Sequence, residues 1–166
     1  MGLVLIDAAH EHQPERLLAA LSVETPDELT AVAEYGRALC VHWADPMANA
    51  EGIDNLANSA LMRDCGPLDD LPLVVVSRGR AQAPAGLPPD LVVRREQAWR
   101  HMQGDLAALS SRSTHLIAEH SGHLMNEDQP ETVVEGIRHA LALLQEHDDH
   151  ADDAAHDDLV PGDGTP

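Results

Sequence analysis

His123 is the residue of this sequence that is best placed to transfer a proton. A histidine side chain takes up and releases a proton near neutral pH, so it serves as a general base or acid. Residues 115–119 before it are mostly apolar and too few for a helix, which predicts a strand. Ser121-Gly122 predicts a turn, because glycine adopts backbone angles that other residues resist. His123 is therefore expected in a loop at the carboxyl end of a strand, where open α/β sheets bind ligands.

Two further apolar runs predict the sheet to which this strand belongs. Residues 3–6 and 73–76 are continuously apolar, which is typical of parallel strands buried on both faces. Helical patterns alternate with these runs, so we predict a three-layer α/β fold with a short parallel sheet. The parallel strands are expected near residues 2–7, 72–77 and 115–119.

Helical patterns fill the segments between and after the strands. Residues 14–69 contain several helices, one of which is expected to begin at Thr25-Pro26-Asp27-Glu28. Residues 92–109 predict a longer helix. A last helix is expected from Glu131 to about Glu146, since Pro130 suits a first helical turn and Glu131 meets the positive helix end. Its predicted inward residues are Val133, Val134, Ile137, Leu141 and Leu144.

The order of these segments resembles the C-terminal half of the α/β-hydrolase family. The Ser-Gly-His of residues 121–123, the Asp-Gln-Pro-Glu of 128–131 and the amphipathic helix that follows resemble the end of that fold. Residues 2–10 resemble its sixth strand and residues 71–79 its seventh. Residues 14–69 resemble its helical lid. The resemblance implies that residues 1–146 are the C-terminal portion of a hydrolase domain with a lid inserted between two strands.

The resemblance also implies a reaction and the residues that carry it out. Such a protein hydrolyses a carboxylic ester, or another bond of a small hydrophobic substrate, by a Ser-His-acid mechanism without a cofactor. His123 stands at the position of the catalytic base. Asp7 stands at the end of the sixth strand, where some members, including haloalkane dehalogenases, carry the triad acid. The seventh strand ends in Ser-Arg-Gly-Arg and offers no carboxylate, and Asp90 and Glu96 remain alternative acids.

The sequence lacks the nucleophile motif of this family. No Gly-x-Ser-x-Gly occurs, and the oxyanion-hole loop, which belongs to the earlier half of the fold, is also missing. We therefore expect the chain alone to be inactive and to need a small-molecule substrate and the missing N-terminal half as partners. The alternative is a non-catalytic truncated fragment, or an interaction module that pairs through the exposed edge of its first strand.

Composition limits the remaining function classes. The 166 residues allow one domain, and the formal net charge of -19, without basic patches, argues against nucleic-acid and anionic-membrane partners. Two cysteines, Cys40 and Cys65, are too few for a disulfide framework, and free thiols fit a cytoplasmic protein. No segment is long enough to span a membrane. Residues 147–166 are predicted to be a disordered acidic tail.

Several other side chains have two possible roles. His10 and His12 follow Asp7 and could line a pocket or bind a metal, but no third zinc ligand is evident, and surface histidines are the favoured interpretation. No metal site is therefore predicted. Trp43 and Trp99 either line the substrate pocket or pack in the core and lid, and packing is favoured.

Overall fold

The computed structural model describes the backbone of residues 1–21, 23, 25–48 and 52–157, and the side chains of these residues up to 146. Three strands form one parallel sheet in the order β1-β2-β3. This arrangement confirms the predicted α/β class and the short parallel sheet. The strands are β1, Leu3–Ile6; β2, Leu73–Arg78; and β3, Ser113–Ala118.

Helices account for most of the remaining described chain. The predicted helical block between β1 and β2 is helical, and its second helix begins with a capping box in which Thr25 and Glu28 satisfy each other's backbone N–H groups. A short helix between β3 and the last helix was not predicted. The helices are α1, Gln13–Ala19; α2, Pro26–Ala44; a 3₁₀ turn, Pro46–Ala48; α3, Asn55–Cys65; α4, Pro89–Ala107; α5, Met125–Asp128; and α6, Pro130–Asp157.

The sheet is covered by α4 on one face and by α6 on the other. Successive side chains of a strand point to opposite faces, so alternate residues of β2 join different clusters. Leu73 and Val75 pack with Leu106 of α4, whereas Val74 and Val76 pack with Ala140 of α6. All six residues of β2 are buried, as expected for the central strand. The apolar run that predicted β2 is therefore explained by helices on both faces.

The predicted inward face of α6 is partly wrong. Val134, Ile137 and Leu141 are 43%, 45% and 55% exposed, although each was expected to point inward. Within the described residues the sheet below the helix has three strands, so α6 buries a narrow stripe that includes Gly136 and Ala140. The helix also continues past the predicted end near Glu146 to Asp157. The rest of the predicted disordered tail, residues 158–166, lies outside the described residues.

The outer edge of β1 is unpaired within the part of the chain that the structure describes. Leu3 and Ile6 are 36% and 41% exposed there. Leu144 of α6 packs against Gly2, just before β1, and helical spacing places Leu141 and Ile137 on the same stripe as Leu144. The exposed side of α6 therefore runs along β1. We call Leu3, Ile6, Val134, Ile137 and Leu141 the β1 flank.

Candidate active site

Asp7 follows β1 directly and turns its carboxylate into the interior. Its backbone N–H donates to the carbonyl of Val76 at 2.8 Å, which continues the pairing with β2 for one residue. Its φ of 44° lies in the left-handed region, which aspartate tolerates better than most residues other than glycine. The side chain is only 3% exposed. The turn therefore places an acid at the carboxyl edge of the sheet, beside the end of β2.

His123 lies in the loop after β3, as predicted, and its ring meets Asp7. The distance from His123 Nδ1 to Asp7 Oδ2 is 2.6 Å. The side chains of Asp128 and Gln129 hydrogen-bond to the backbone of this loop. Asp128 accepts a hydrogen bond from the N–H of Gly122 at 2.7 Å, and Gln129 accepts one from the N–H of His120 at 2.6 Å. These bonds give the predicted 128–131 motif a physical role.

The direction of this hydrogen bond determines which ring nitrogen is free for chemistry. An ionised carboxylate only accepts hydrogen bonds, so Nδ1 carries the proton that lies between the two groups. In the neutral ring Nε2 is then the basic nitrogen. The His123 side chain is 55% exposed, so its ring is open to an incoming group. Asp7 and His123 thus have the geometry of an acid that orients a general base.

Arg78 compensates the buried charge of Asp7, a role that was not predicted. Its Nη1 lies 3.0 and 3.3 Å from the two Asp7 oxygens, and its Nη2 lies 3.2 and 3.0 Å from those of Glu96. The guanidinium carbon lies 3.5 Å from the centroid of the Trp99 ring. Arg95 also pairs with Glu96 and donates to the hydroxyl of Tyr35 at 2.8 Å. Buried charges need such partners, because isolated ones are costly.

The two alternative acids take other partners. Glu96 is buried on α4 and is bound by Arg78 and Arg95. Asp90, in the first turn of α4, pairs with Arg94 at 3.3 Å at the surface. Of the three candidates, Asp7 is the one that the structure places against His123.

A cavity of about 680 Å³ opens between this pair and the helices that follow β1. Its volume is in the usual range for small-molecule sites. Trp43 and Trp99 both line the cavity and are buried, as expected for the favoured packing role. No serine, threonine or cysteine is found among the described residues that line it. The residues that line it include Asp7, His42, Trp43, Ile53, His123 and Leu124.

His10 is not a surface residue, which corrects the favoured interpretation. It is 6% exposed and lies between Glu11, 3.3 Å from Nδ1, and Arg16, 3.4 Å from Nε2. Burial is the main cause that lowers the pKa of His10. His12 is exposed, as expected. Among the described residues, no three histidine, cysteine or acidic side chains converge in a way that would hold a metal ion.

Cys40 and Cys65 are both exposed free thiols. Across the described ranges, no helix combines the length and the apolar character needed to cross a membrane. Comparisons with protein-family models, with curated proteins and with solved structures found no match for this chain.

Proposed function

We propose that this chain provides the general base and the orienting acid of an α/β-hydrolase that cleaves a carboxylic ester or a related bond of a small hydrophobic substrate. The observation that carries the proposal is the 2.6 Å hydrogen bond between His123 and the buried Asp7, at the mouth of a cavity. The parallel strand order β1-β2-β3 is also the order that the family resemblance implies for its last three strands.

In this proposal His123 moves one proton twice. Its Nε2 takes the proton of a hydroxyl nucleophile as that oxygen attacks the ester carbonyl, and later gives it to the leaving alkoxide. Asp7 stabilises the imidazolium that exists between these steps. Arg78 and Glu96 keep the Asp7 carboxylate in place, since the Asp7 oxygen that does not face His123 is held by Arg78. A fixed acid holds the ring in the productive tautomer.

One part of the cavity wall suits the apolar portion of such a substrate. Trp43, Ile53, Trp99 and Leu124 provide apolar surface, and the nearby charged groups are paired with one another. The helices α2 and α3 contribute Trp43 and Asn55 to the side opposite the sheet. In the proposal this helical segment is the lid that excludes water and shapes the substrate pocket.

The nucleophile is the component that the proposal assigns to a segment outside this chain. The test begins with the coding DNA upstream of Met1. An in-frame continuation that encodes Gly-x-Ser-x-Gly before a helix supports the proposal, whereas a stop codon directly upstream favours the truncated fragment or the interaction module. The extended protein is then assayed on p-nitrophenyl esters of increasing acyl length.

Variants of the extended protein separate catalysis from folding. His123→Ala is expected to lower kcat by about 10³-fold or more, because general-base and triad members contribute on this scale. His120→Ala is the matched control, since His120 is an exposed histidine of the same loop. Equal activity of the wild type and His123→Ala would contradict the role of His123.

A second candidate function rests on the β1 flank. An unpaired strand edge offers backbone hydrogen-bond groups to another strand, and apolar side chains beside it add buried area. The exposed Leu3 and Ile6, together with the exposed stripe on α6, favour an interaction module that adds a strand from a partner. The coding DNA upstream of Met1 discriminates between the two functions, because an interaction module needs no nucleophile motif there.

A further inference from the structure

A second cavity, of about 330 Å³, lies on the α4 side of the sheet, away from His123. Its lining combines residues from β2, β3 and α4. Trp99 and Arg78 contribute to both cavities, whereas Ser77, His115, Gln103 and Glu119 line only the smaller one. None of these last four residues has a role in the proposed function.

Ser77 and His115 are hydrogen-bonded in this cavity. The distance from Ser77 Oγ to His115 Nε2 is 2.7 Å. In the parallel register His115 pairs with Val75 and Ser77 with Ile117, so the two side chains are diagonal neighbours on one face of the sheet. The contact therefore follows from strand pairing. A hydroxyl bound to the nitrogen of an imidazole is the arrangement that activates a serine.

Gln103 determines what the Ser77 hydroxyl can do with its single proton. The Gln103 Nε2 donates to the carbonyl of Ala8 at 2.8 Å, so its Oε1 faces Ser77 and can only accept. Ser77 therefore donates either to Gln103, at 3.3 Å, or to His115, at 2.7 Å. When Ser77 donates to His115, the ring accepts at Nε2 and carries its own proton at Nδ1, and this is the tautomer in which His115 can act as a base.

His115 is in the protonation state that a base requires. Although the residue is exposed at the outer strand, burial of its ring lowers the pKa of His115 below the ordinary value of 6.5. The imidazole is therefore mostly neutral at pH 7 and free to accept a proton. A neutral histidine at this distance from a serine is matched to the task of a general base.

Arg78 supplies a donor that is otherwise unexplained. It is 3% exposed, and its Nε is buried without a hydrogen-bond partner within the described part of the chain. Buried donors in folded proteins are nearly always paired, so an orphan group needs an explanation. Arg78 directly follows Ser77 and lines the same cavity. A ligand carbonyl oxygen that hydrogen-bonds to this N–H would carry the charge that develops during attack.

We propose that Ser77 is a nucleophile toward small acyl and phosphonyl electrophiles, with His115 as its general base. With an ester, a bond forms between Ser77 Oγ and the carbonyl carbon while the Ser77 proton passes to His115 Nε2. The bond to the leaving alkoxide then breaks, and the alkoxide takes the proton from His115, which leaves an acyl-serine. Ser77 and His115 have no role in the proposed function, so this site goes beyond it, and Arg78 and Trp99 border both cavities.

The chain as it stands tests this proposal with a fluorophosphonate probe. Ser77 Oγ attacks phosphorus, the P–F bond breaks, fluoride leaves and the proton passes to His115. Intact-mass spectrometry is expected to show one adduct, and peptide mapping is expected to place it on Ser77. His115→Gln keeps a polar side chain but removes the base, and it is expected to slow labelling by about 10²-fold. Ser77→Ala is expected to abolish labelling.

Control variants make every outcome informative. Ser111→Ala and His101→Ala replace an exposed serine and an exposed histidine outside the cavity, and both are expected to label like the wild type. An unlabelled wild type, an adduct on another residue or a His115→Gln rate equal to that of the wild type would overturn the proposal. Mapping the wild-type adduct gives a decision even if Ser77→Ala does not fold.

Discussion

Asp7 and His123 share a 2.6 Å hydrogen bond, although the Asp7 side chain is 3% exposed and that of His123 is 55% exposed. The Asp7 carboxylate is thus buried and also lines the larger cavity. Its other oxygen lies 3.0 Å from Nη1 of Arg78. The two residues of the proposed catalytic pair are therefore expected to differ strongly in their effect on stability.

Asp7→Asn is expected to destabilise the fold far more than His123→Ala. Loss of the Asp7 charge breaks a buried ion pair, for which about 3–5 kcal/mol is typical. The lower end of that range is expected, because Glu96 still pairs with Arg78. The exposed His123 ring is expected to contribute less than about 1 kcal/mol to the free energy of unfolding. Urea denaturation monitored by circular dichroism measures both, and equal midpoints for the two variants would contradict this assignment.

Gly79→Ala and Gly104→Ala are expected to change stability in opposite directions. A Cβ at Gly79 would lie 2.5 Å from the Cα of Glu119, which is a backbone atom and cannot give way cheaply. The ends of β2 and β3 would separate, at a cost of about 1–3 kcal/mol. A Cβ at Gly104 meets nothing within 4 Å, and alanine in a helix is favoured over glycine by up to about 1 kcal/mol. The urea midpoints of the two variants are expected to lie on opposite sides of the wild-type value.

His115 is expected to make the fold less stable as the pH falls. Its pKa is lowered in the folded chain, so below pH 6.5 the unfolded chain binds a proton that the folded chain does not yet bind. Stability therefore rises with pH through this window. His115→Gln removes this contribution, so the unfolding free energy of the variant is expected to fall less between pH 7.5 and 5.5. His10, whose pKa is also lowered, contributes with the same sign in both proteins.

A nuclear magnetic resonance titration measures the same quantity directly. The ring resonances that disappear in His115→Gln are expected to titrate below pH 6.5. A midpoint above that value would exclude a desolvated His115 and weaken its role as a base.

The β1 flank is expected to bind apolar dyes and to promote association of the chain. Ile137→Glu places a charge in the middle of the exposed stripe on α6 and is expected to reduce dye fluorescence and concentration-dependent light scattering. Leu61→Glu is the matched control, because Leu61 is a 65% exposed apolar residue on α3, outside the flank. An equal effect of the two substitutions would show that the flank is not a distinct interaction surface.

Residue pattern predicted the sheet and the loop position of His123, because both depend on local features. Continuous apolar runs identified β1 and β2, and a turn after an apolar strand located His123. Asp7 was proposed from the family resemblance, and the structure places it against His123. The parallel order of the strands brings their carboxyl ends to one edge, which explains why residues more than a hundred positions apart meet there.

Contacts that depend on tertiary structure were missed. Arg78 was considered only as a position without a carboxylate, because nothing in its neighbourhood reveals that Asp7 and Glu96 converge on it. The contact between Ser77 and His115 depends on the register of β2 against β3, which local patterns do not encode. The buried face of α6 was overestimated, since helical periodicity marks apolar residues but not the width of the sheet below them.

The two tryptophans of this chain give it a built-in optical reporter. Trp43 and Trp99 both border the larger cavity, and Trp99 also borders the smaller one. Because the sequence has no other tryptophan, a ligand in the smaller cavity would quench the fluorescence of Trp99 alone. A ligand in the larger cavity would quench the fluorescence of both tryptophans. In a Trp43→Phe variant, the fluorescence would come from Trp99 alone, which borders both cavities. Comparing ligand quenching in this variant with quenching in the wild type would show which cavity the ligand occupies.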